Sequence, residues 1–160
     1  MHSHIIKPFA LLALIFIAIG CNPTKRAIKQ HPVRAYLPTE LQDLYFGMPL
    51  SEFEGMRSAE EQPSETYDFR RVFFEEFSDS EIEYVVYYFD NEGDLPLYEI
   101  IVAYRDADSR DQTARRLLGS PNAEEGEWRY DSREGYELMA WAFQKKLVFA
   151  APLPGTEWNE

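Results

Sequence analysis

Residues 81–105 read "EIEYVVYYFDNEGDLPLYEIIVAYR", and this stretch decides the expected fold. Two runs rich in β-branched and aromatic residues, 81–90 and 95–105, flank the polar turn "NEGD", which is the pattern of two antiparallel strands. In the first run, both the even-numbered and the odd-numbered positions are largely apolar or aromatic, so both faces of this strand are substantially apolar. One face should therefore pack on helices, and the other should carry tyrosines at the surface or against a partner.

The neighbouring segments extend this pair to a repeated pattern. "PLSEFEGMRS" predicts a helix, residues 60–68 a loop, and residues 69–77 a strand before the pair. "SRDQTARRLLGSP" then predicts a second helix, which begins at a capping box of Ser109 and Gln112 and ends at Gly119. Three short strands follow, in "EWRYDS", "YELMAWAF" and "LVFAAP".

The order of helix, three strands, helix and three strands predicts an α+β fold. Two αβββ units, residues 39–107 and 108–160, should form one antiparallel sheet with the helices packed on one face. The second helix starts about 58 residues after Ser51, which is a spacing typical of a duplicated unit. The alternative is six strands and two helices without duplication.

The N-terminal run "ALLALIFIAIGCNPTK" contains the only cysteine. The uncharged stretch after Lys7 is short for a membrane span and has the length of a signal-peptide core. Residues 18–21, "AIGC", resemble the lipobox of bacterial lipoproteins, in which the cysteine is acylated and the peptide is cut before it. We therefore predict a signal peptide over residues 1–20 and acyl and diacylglyceryl groups on Cys21. An uncleaved short anchor and an ordinary signal peptide are the alternatives.

The chain after Cys21 consists of a basic segment followed by an acidic one. Residues 21–38 contain three prolines and no acid, so they predict a basic tether, and the folded part should begin at Thr39. From Thr39 onward 11 basic and 28 acidic residues leave a net charge of −17, which disfavours nucleic acid as a partner. The four basic residues of the tether either attract anionic headgroups or keep it soluble: they are Lys25, Arg26, Lys29 and Arg34.

Two short motifs resemble those of small bacterial lipoproteins of the SmpA/OmlA type, and more broadly the fold of β-lactamase-inhibitor proteins. In that pattern a helix ends in Leu-Gly-x-Pro, the next strand carries Trp-x-Tyr, and a Gly-Met pair opens the other helix. The matching residues are Leu118, Gly119, Pro121, Trp128 and Tyr130, with Gly47 and Met48 in the first unit. The resemblance implies a tandem copy of this fold in an outer-membrane lipoprotein that faces the periplasm.

The residues of the folded part offer little catalytic chemistry. The one histidine behind the signal peptide, His31, lies in the tether, and the one thiol, Cys21, is the acylation site, so Ser-His-Asp and Cys-His catalysis are excluded. Asp106, Asp108 and Asp111 could form a calcium loop. Their spacing lacks the required glycine and glutamate, and it suits the acidic first turn of a helix better. We expect no metal and no cofactor beyond the acyl groups of Cys21.

We therefore predict a non-catalytic protein-interaction or assembly module, held on the membrane by its lipid and bound to an envelope protein. A small-ligand-binding or hydrolytic domain with carboxylate chemistry is the alternative. Tyrosine is favoured at interfaces, although half-buried tyrosines also pack ordinary sheets. The candidate interface residues are Tyr84, Tyr87, Tyr88, Tyr98 and Tyr104.

Overall fold

The computed structural model describes residues 32–63 and 69–159. This part of the chain folds as two α-helices and one seven-stranded antiparallel sheet, which confirms the α+β class. The helices are α1 (Leu50–Met56) and α2 (Ala107–Leu118). The strands are β1 (Glu60–Gln62), β2 (Arg70–Glu76), β3 (Ile82–Asp90), β4 (Leu97–Tyr104), β5 (Trp128–Asp131), β6 (Glu137–Phe143) and β7 (Lys146–Ala150).

The strands are arranged in the order β1-β2-β3-β4-β7-β6-β5. The pairing of β4 with β7 joins the third strands of the two predicted units at the centre of the sheet. The expected number of six strands is wrong, because β1 lies within residues 60–68, which we expected to be a loop. All three residues of β1 are exposed, so this edge strand has no apolar alternation to reveal it. The duplication of the unit stays a prediction.

One apolar row crosses six strands on the face that the helices cover. Phe53 of α1 packs its ring against Phe73, Tyr87 and Phe89 of β2 and β3, with ring centroids 5.7, 4.8 and 4.9 Å away. The buried side of α2 belongs to the same core cluster. Residues paired along the row are Phe73, Tyr87, Ile100, Phe149, Ala140 and Trp128.

The start of α2 differs from the prediction. Asp106 is the N-cap, and its Oδ1 accepts a hydrogen bond of 2.8 Å from the backbone N–H of Ser109. Ser109 is therefore the third residue of the helix rather than its cap. The segment offers two acceptable capping residues three positions apart, and the helix uses the earlier one, which adds a turn.

The end of α2 explains the Leu-Gly-x-Pro and Trp-x-Tyr motifs. Two aromatic side chains of β5 donate to the last carbonyls of the helix: Trp128 Nε1 binds the Gly119 oxygen at 3.2 Å, and the Tyr130 hydroxyl binds the Leu118 oxygen. Helix ends leave such carbonyls without an internal partner. The spacing of these two motifs thus has a structural reason in this chain, namely the attachment of α2 to β5.

The folded part begins earlier than Thr39. Val33 and Leu37 are fully buried in the core, and the ring of Tyr36 stacks on Tyr130 with centroids 4.6 Å apart. Residues 33–38, which we expected to lie in the tether, therefore belong to the folded part. They form a short 3₁₀ turn and its exit, and such turns leave no helical period in a sequence. Residues 1–31, with the predicted signal peptide and Cys21, lie outside the described residues.

Replacing Gly119 tests the end of α2. Gly119 has φ of 72° and ψ of −148°, and an added Cβ would meet nothing within 4 Å. The cost of Gly119→Val is therefore backbone strain without a clash, and we expect a loss of about 1–3 kcal/mol in the free energy of unfolding. Urea denaturation measures it. Gly55→Ala, in the open interior of α1, is the control and should not destabilise; an unchanged midpoint for Gly119→Val would contradict the argument.

Replacing Leu37 tests the corrected boundary. Because this side chain is fully buried, Leu37→Ala should lower the free energy of unfolding by about 2–5 kcal/mol. Arg34→Ala, in the same segment but exposed, should change it by less than about 0.5 kcal/mol. Thermal unfolding compares the two variants. Equal melting temperatures would contradict the corrected boundary and favour the expected tether up to Pro38.

Candidate interaction surface

The face of the sheet opposite the helices carries a second set of apolar side chains. On this side Phe74, Val86 and Ile101 are consecutive partners across β2, β3 and β4. No helix of residues 32–63 or 69–159 packs on it, since both helices belong to the cluster on the other face. We call this surface the open face. Its half-buried or exposed members are Val72, Phe74, Tyr84, Val86, Tyr88, Ile101, Met139, Trp141 and Phe143.

The five candidate tyrosines separate into two groups. Tyr84 and Tyr88 lie on the open face and are half-buried. Tyr87 and Tyr104 point into the core under the helices, and they are 0% and 1% exposed. Tyr98 lies at an irregularity in the β3–β4 pairing and is also 1% exposed. Only two of the five hydroxyl-bearing rings are thus accessible to a partner.

Tyr87 has a structural role in this arrangement. Its hydroxyl donates a 2.5 Å hydrogen bond to Glu75 Oε2, and Arg57 approaches the same oxygen at 3.4 Å. Burial, followed by the bond to Glu75, raises the pKa of Tyr87 far above its usual value. The ring therefore stays neutral and holds β2 and β3 together beneath α1.

One end of the open face is aromatic and bordered by acids. The rings of Phe74 and Tyr84 lie 5.0 Å apart. Across the strands, Glu60 pairs with Phe74 and Glu76 pairs with Tyr84, so each ring has a carboxylate beside it. A shallow cleft of about 540 Å³ opens at this edge, lined by Ser58, Glu60, Gln62, Phe74, Glu75 and Glu76.

The other end of the open face is crossed by the C-terminal residues 154–159, which we call the strap. The Trp158 ring packs edge-on against Trp141 of β6, with centroids 5.5 Å apart. Its Nε1 donates a hydrogen bond of 2.8 Å to Glu99 Oε2 on β4. Trp158 nevertheless remains 41% exposed, so its side chain is only partly buried against the sheet.

Glu157 supplies the second attachment of the strap. Its Oε2 accepts hydrogen bonds from the Tyr98 hydroxyl at 2.8 Å and from Arg70 Nη1 at 3.0 Å. The Arg70 guanidinium lies 4.1 Å from the centre of the Tyr88 ring. Tyr88 is thus partly sheltered by this cluster, and Tyr84 lies farther along the strand in the uncovered part of the face.

Glu99 is an unusual residue for the middle of an apolar strand. It is 5% exposed, and burial raises its pKa to about 7. The Trp158 N–H lowers the pKa of Glu99, and the nearby charge of Glu157 raises it again. Glu99 is not among the candidate residues predicted from the sequence, although a single acid between apolar positions in "LPLYEIIVAY" is a signal that could have found it.

The candidate calcium loop "DADSRD" forms the start of α2. Asp106 is occupied in capping α2, and the Ser109 N–H lowers its pKa, so the helix interpretation of "DADSRD" holds. Within residues 32–63 and 69–159, no three His, Cys, Asp or Glu side chains are placed to hold a metal ion. No helix in these ranges is long and apolar enough to cross a bilayer. The small-ligand or hydrolytic alternative stays a prediction without assigned residues.

Comparison with known proteins adds no relative. No known protein family, no curated protein and no solved structure matches this chain. The resemblance to SmpA/OmlA-type lipoproteins and to β-lactamase-inhibitor proteins therefore stays a prediction.

A pair of tyrosines on opposite faces tests the assignment of the open face. Tyr87→Ser removes a fully buried ring and should lower the free energy of unfolding by about 3–5 kcal/mol. Tyr84→Ser, three positions away on the same strand, removes a half-buried ring and should cost about 1 kcal/mol. Urea titration of both variants measures the difference. Similar losses would show that the two faces are equally covered.

Proposed function

We propose that this chain is a lipid-anchored, periplasm-facing protein of the bacterial envelope, whose domain binds an envelope protein on the open face without catalysing a reaction. The observation that carries the proposal is the row Phe74, Val86 and Ile101, whose side chains lie on a face without a described helix. A docked partner would remove this surface from water, and each buried Å² of apolar area contributes about 25 cal/mol. Contiguous exposed apolar surface is typical of interaction sites.

Charge selects the chemistry of the partner. The chain from Thr39 onward carries a net charge of −17, so a second copy, nucleic acid and an anionic lipid surface are all repelled. Glu60 and Glu76 place negative charge beside the aromatic end of the open face. A polypeptide segment with lysine or arginine next to apolar side chains complements both features, and electrostatic steering would speed its association.

The segment between the predicted lipid anchor and the domain has a length that suits this role. About 12 residues separate Cys21 from Val33, the first buried residue that the structure describes. A fully extended chain of that length spans at most about 40 Å. Lys25, Arg26 and Lys29 in this segment would contact anionic headgroups, and the acidic domain would be held away from them. The open face is then free to meet a partner in the periplasm.

Site-specific photocrosslinking in native envelopes tests the binding face. A benzophenone amino acid replaces Tyr84 or Phe143 on the open face, and Met56 on the exposed side of α1 serves as the matched control. We expect a covalent adduct from the two open-face positions and none from Met56. The yield should fall severalfold in about 0.5 M salt, because salt screens the attraction between the acidic chain and a basic segment.

The identity of the crosslinked peptide decides the outcome. Mass spectrometry that places the adduct in a lysine- or arginine-rich segment of another protein supports the proposal. Equal adducts at Met56 and at the open face, an adduct with a second copy of this chain, or no adduct at any position would contradict it.

The anchor has a separate test. Mass spectrometry of the mature N-terminal peptide should find Cys21 carrying acyl and diacylglyceryl groups, because the tetrad that ends at this residue has the pattern that directs acylation. Cys21→Ser should leave an unacylated precursor that retains residues 1–20. Ser3→Ala, in the same segment but outside the tetrad, should leave processing unchanged. An unmodified Cys21 thiol in the wild-type protein would refute the anchor.

A further inference from the structure

The strap is attached to the open face by side chains rather than by strand pairing. Its backbone hydrogen bonds are local, from the Thr156 N–H to the Leu153 oxygen at 3.1 Å and from the Asn159 N–H to the Thr156 oxygen at 2.8 Å. Leu153 packs against the core, so the strap is held at that end. Gly155 follows with φ of 81°, a conformation that favours glycine. Thr156 is 1% exposed and stays with the core, so residues 157–159 are the part of the strap that can lift from the sheet without breaking a described bond of the β-sheet.

The attachment places two carboxylates close together. Trp158 covers Glu99, and Glu157 lies beside it in the bond to Tyr98 and Arg70. The single positive charge of Arg70 can balance only one of the two carboxylates. Arg70 forms an ion pair with Glu157, and its charge also lowers the pKa of Glu99. The neighbouring strand residues on this face, Ala150 and Met139, carry no charge. The charged and titratable groups that face Glu99 are Glu157 on the strap, Arg70 on β2, Tyr88 on β3 and Tyr98 on its own strand.

We propose that the strap is a proton-controlled cover of the open face, which docks while Glu99 is protonated and is released when Glu99 loses its proton. The docked geometry suits a neutral side chain, since Glu99 is 5% exposed and adjoins a second acid. Release returns the ionised carboxylate to water, which removes the cost of burying it. Trp158 leaves at the same time and uncovers Trp141 and the surface around it.

The direction of the pH dependence follows from linkage. With the strap docked, burial raises the pKa of Glu99 to about 7, and exposure to water on release would return it toward its usual 4.5, so the docked state binds more protons than the released state between these values. Docking is therefore strongest at low pH and weakens as pH rises through this window. For one proton, the docking equilibrium constant should fall about 30-fold between pH 5.5 and pH 8.5.

Movement of the strap would regulate binding of the partner to the open face, and this regulatory role rests on the proposed function. With the strap docked, a partner reaches only the part of the open face around Phe74 and Tyr84. With the strap released, the surface next to Met139 and Trp141 becomes available as well. An ionised Glu99 then adds a negative charge to the middle of that surface, which suits the same basic segment.

Exchange of the indole N–H groups in the purified full chain tests the release directly. The Trp158 N–H bonds to Glu99, so its protection, corrected for intrinsic exchange, should fall about 30-fold from pH 5.5 to pH 8.5. The Trp128 N–H, which bonds to the Gly119 oxygen, is an internal control and should stay protected equally at both values. In Glu99→Gln the pH dependence at Trp158 should disappear, because the amide does not titrate.

Several results would overturn the release. Equal Trp158 protection at the two pH values, or a pH dependence that persists in Glu99→Gln, contradicts it. If the variant does not fold, the ¹³C carboxyl resonance of Glu99 in the wild-type chain decides instead. Titration near pH 7, with the loss of Trp158 protection at the same midpoint, supports the proposal, and titration near the usual 4.5 overturns it.

Crosslinking at two positions separates this inference from the proposed function. A benzophenone at Met139, beside the strap, should give more adduct at pH 8.5 than at pH 5.5, relative to Tyr84 outside it. A constant ratio, with release established at Trp158, overturns the regulatory role and leaves the binding function standing. Release at Trp158 without an adduct at either position overturns the binding function and leaves the strap as a proton-controlled element.

Discussion

The cross-strand row from Phe73 to Trp128 is the constraint on which the rest of the structure depends. Its members face one side of six strands and form the surface on which both helices pack. Because strand residues alternate between faces, the row also fixes the side chains on the opposite surface. The helices have 7 and 12 residues and bury their apolar sides on one face only. The apolar side chains at the alternate strand positions are therefore left without a described helix to cover them.

The two faces are covered by different physical means. On the helix side, apolar burial is reinforced where β5 aromatics bind the final carbonyls of α2, so helix and sheet are held as one unit. On the other side, the strap depends on an ion pair, two indole contacts and a buried acid, Glu99. Polar contacts that include a buried carboxylate respond to pH, whereas apolar packing does not. The strap is accordingly the cover that can be removed.

Local patterns in the sequence determined much of the fold. Strands expected over residues 69–77, 81–90 and 95–105 correspond to β2, β3 and β4, because each has a run of β-branched and aromatic residues that ends in a polar turn. The end of α2 at Gly119 was also predictable, since few residues other than glycine adopt its positive φ. Alternation alone placed Tyr84 and Tyr88 together and Tyr87 on the opposite side.

Only the tertiary structure decided the features that depend on contacts between residues far apart in the sequence. Alternation could not tell which tyrosines face the helices, because helix placement makes that choice. The burial of Leu37 and the short edge strand β1 leave no period in the sequence. Glu99 and Trp158 are 59 positions apart, and their contact exists only because the chain end returns across β4. Local propensity acts over a few neighbouring residues, whereas burial, which sets the accessibility of a ring and the pKa of an acid, belongs to the folded chain as a whole.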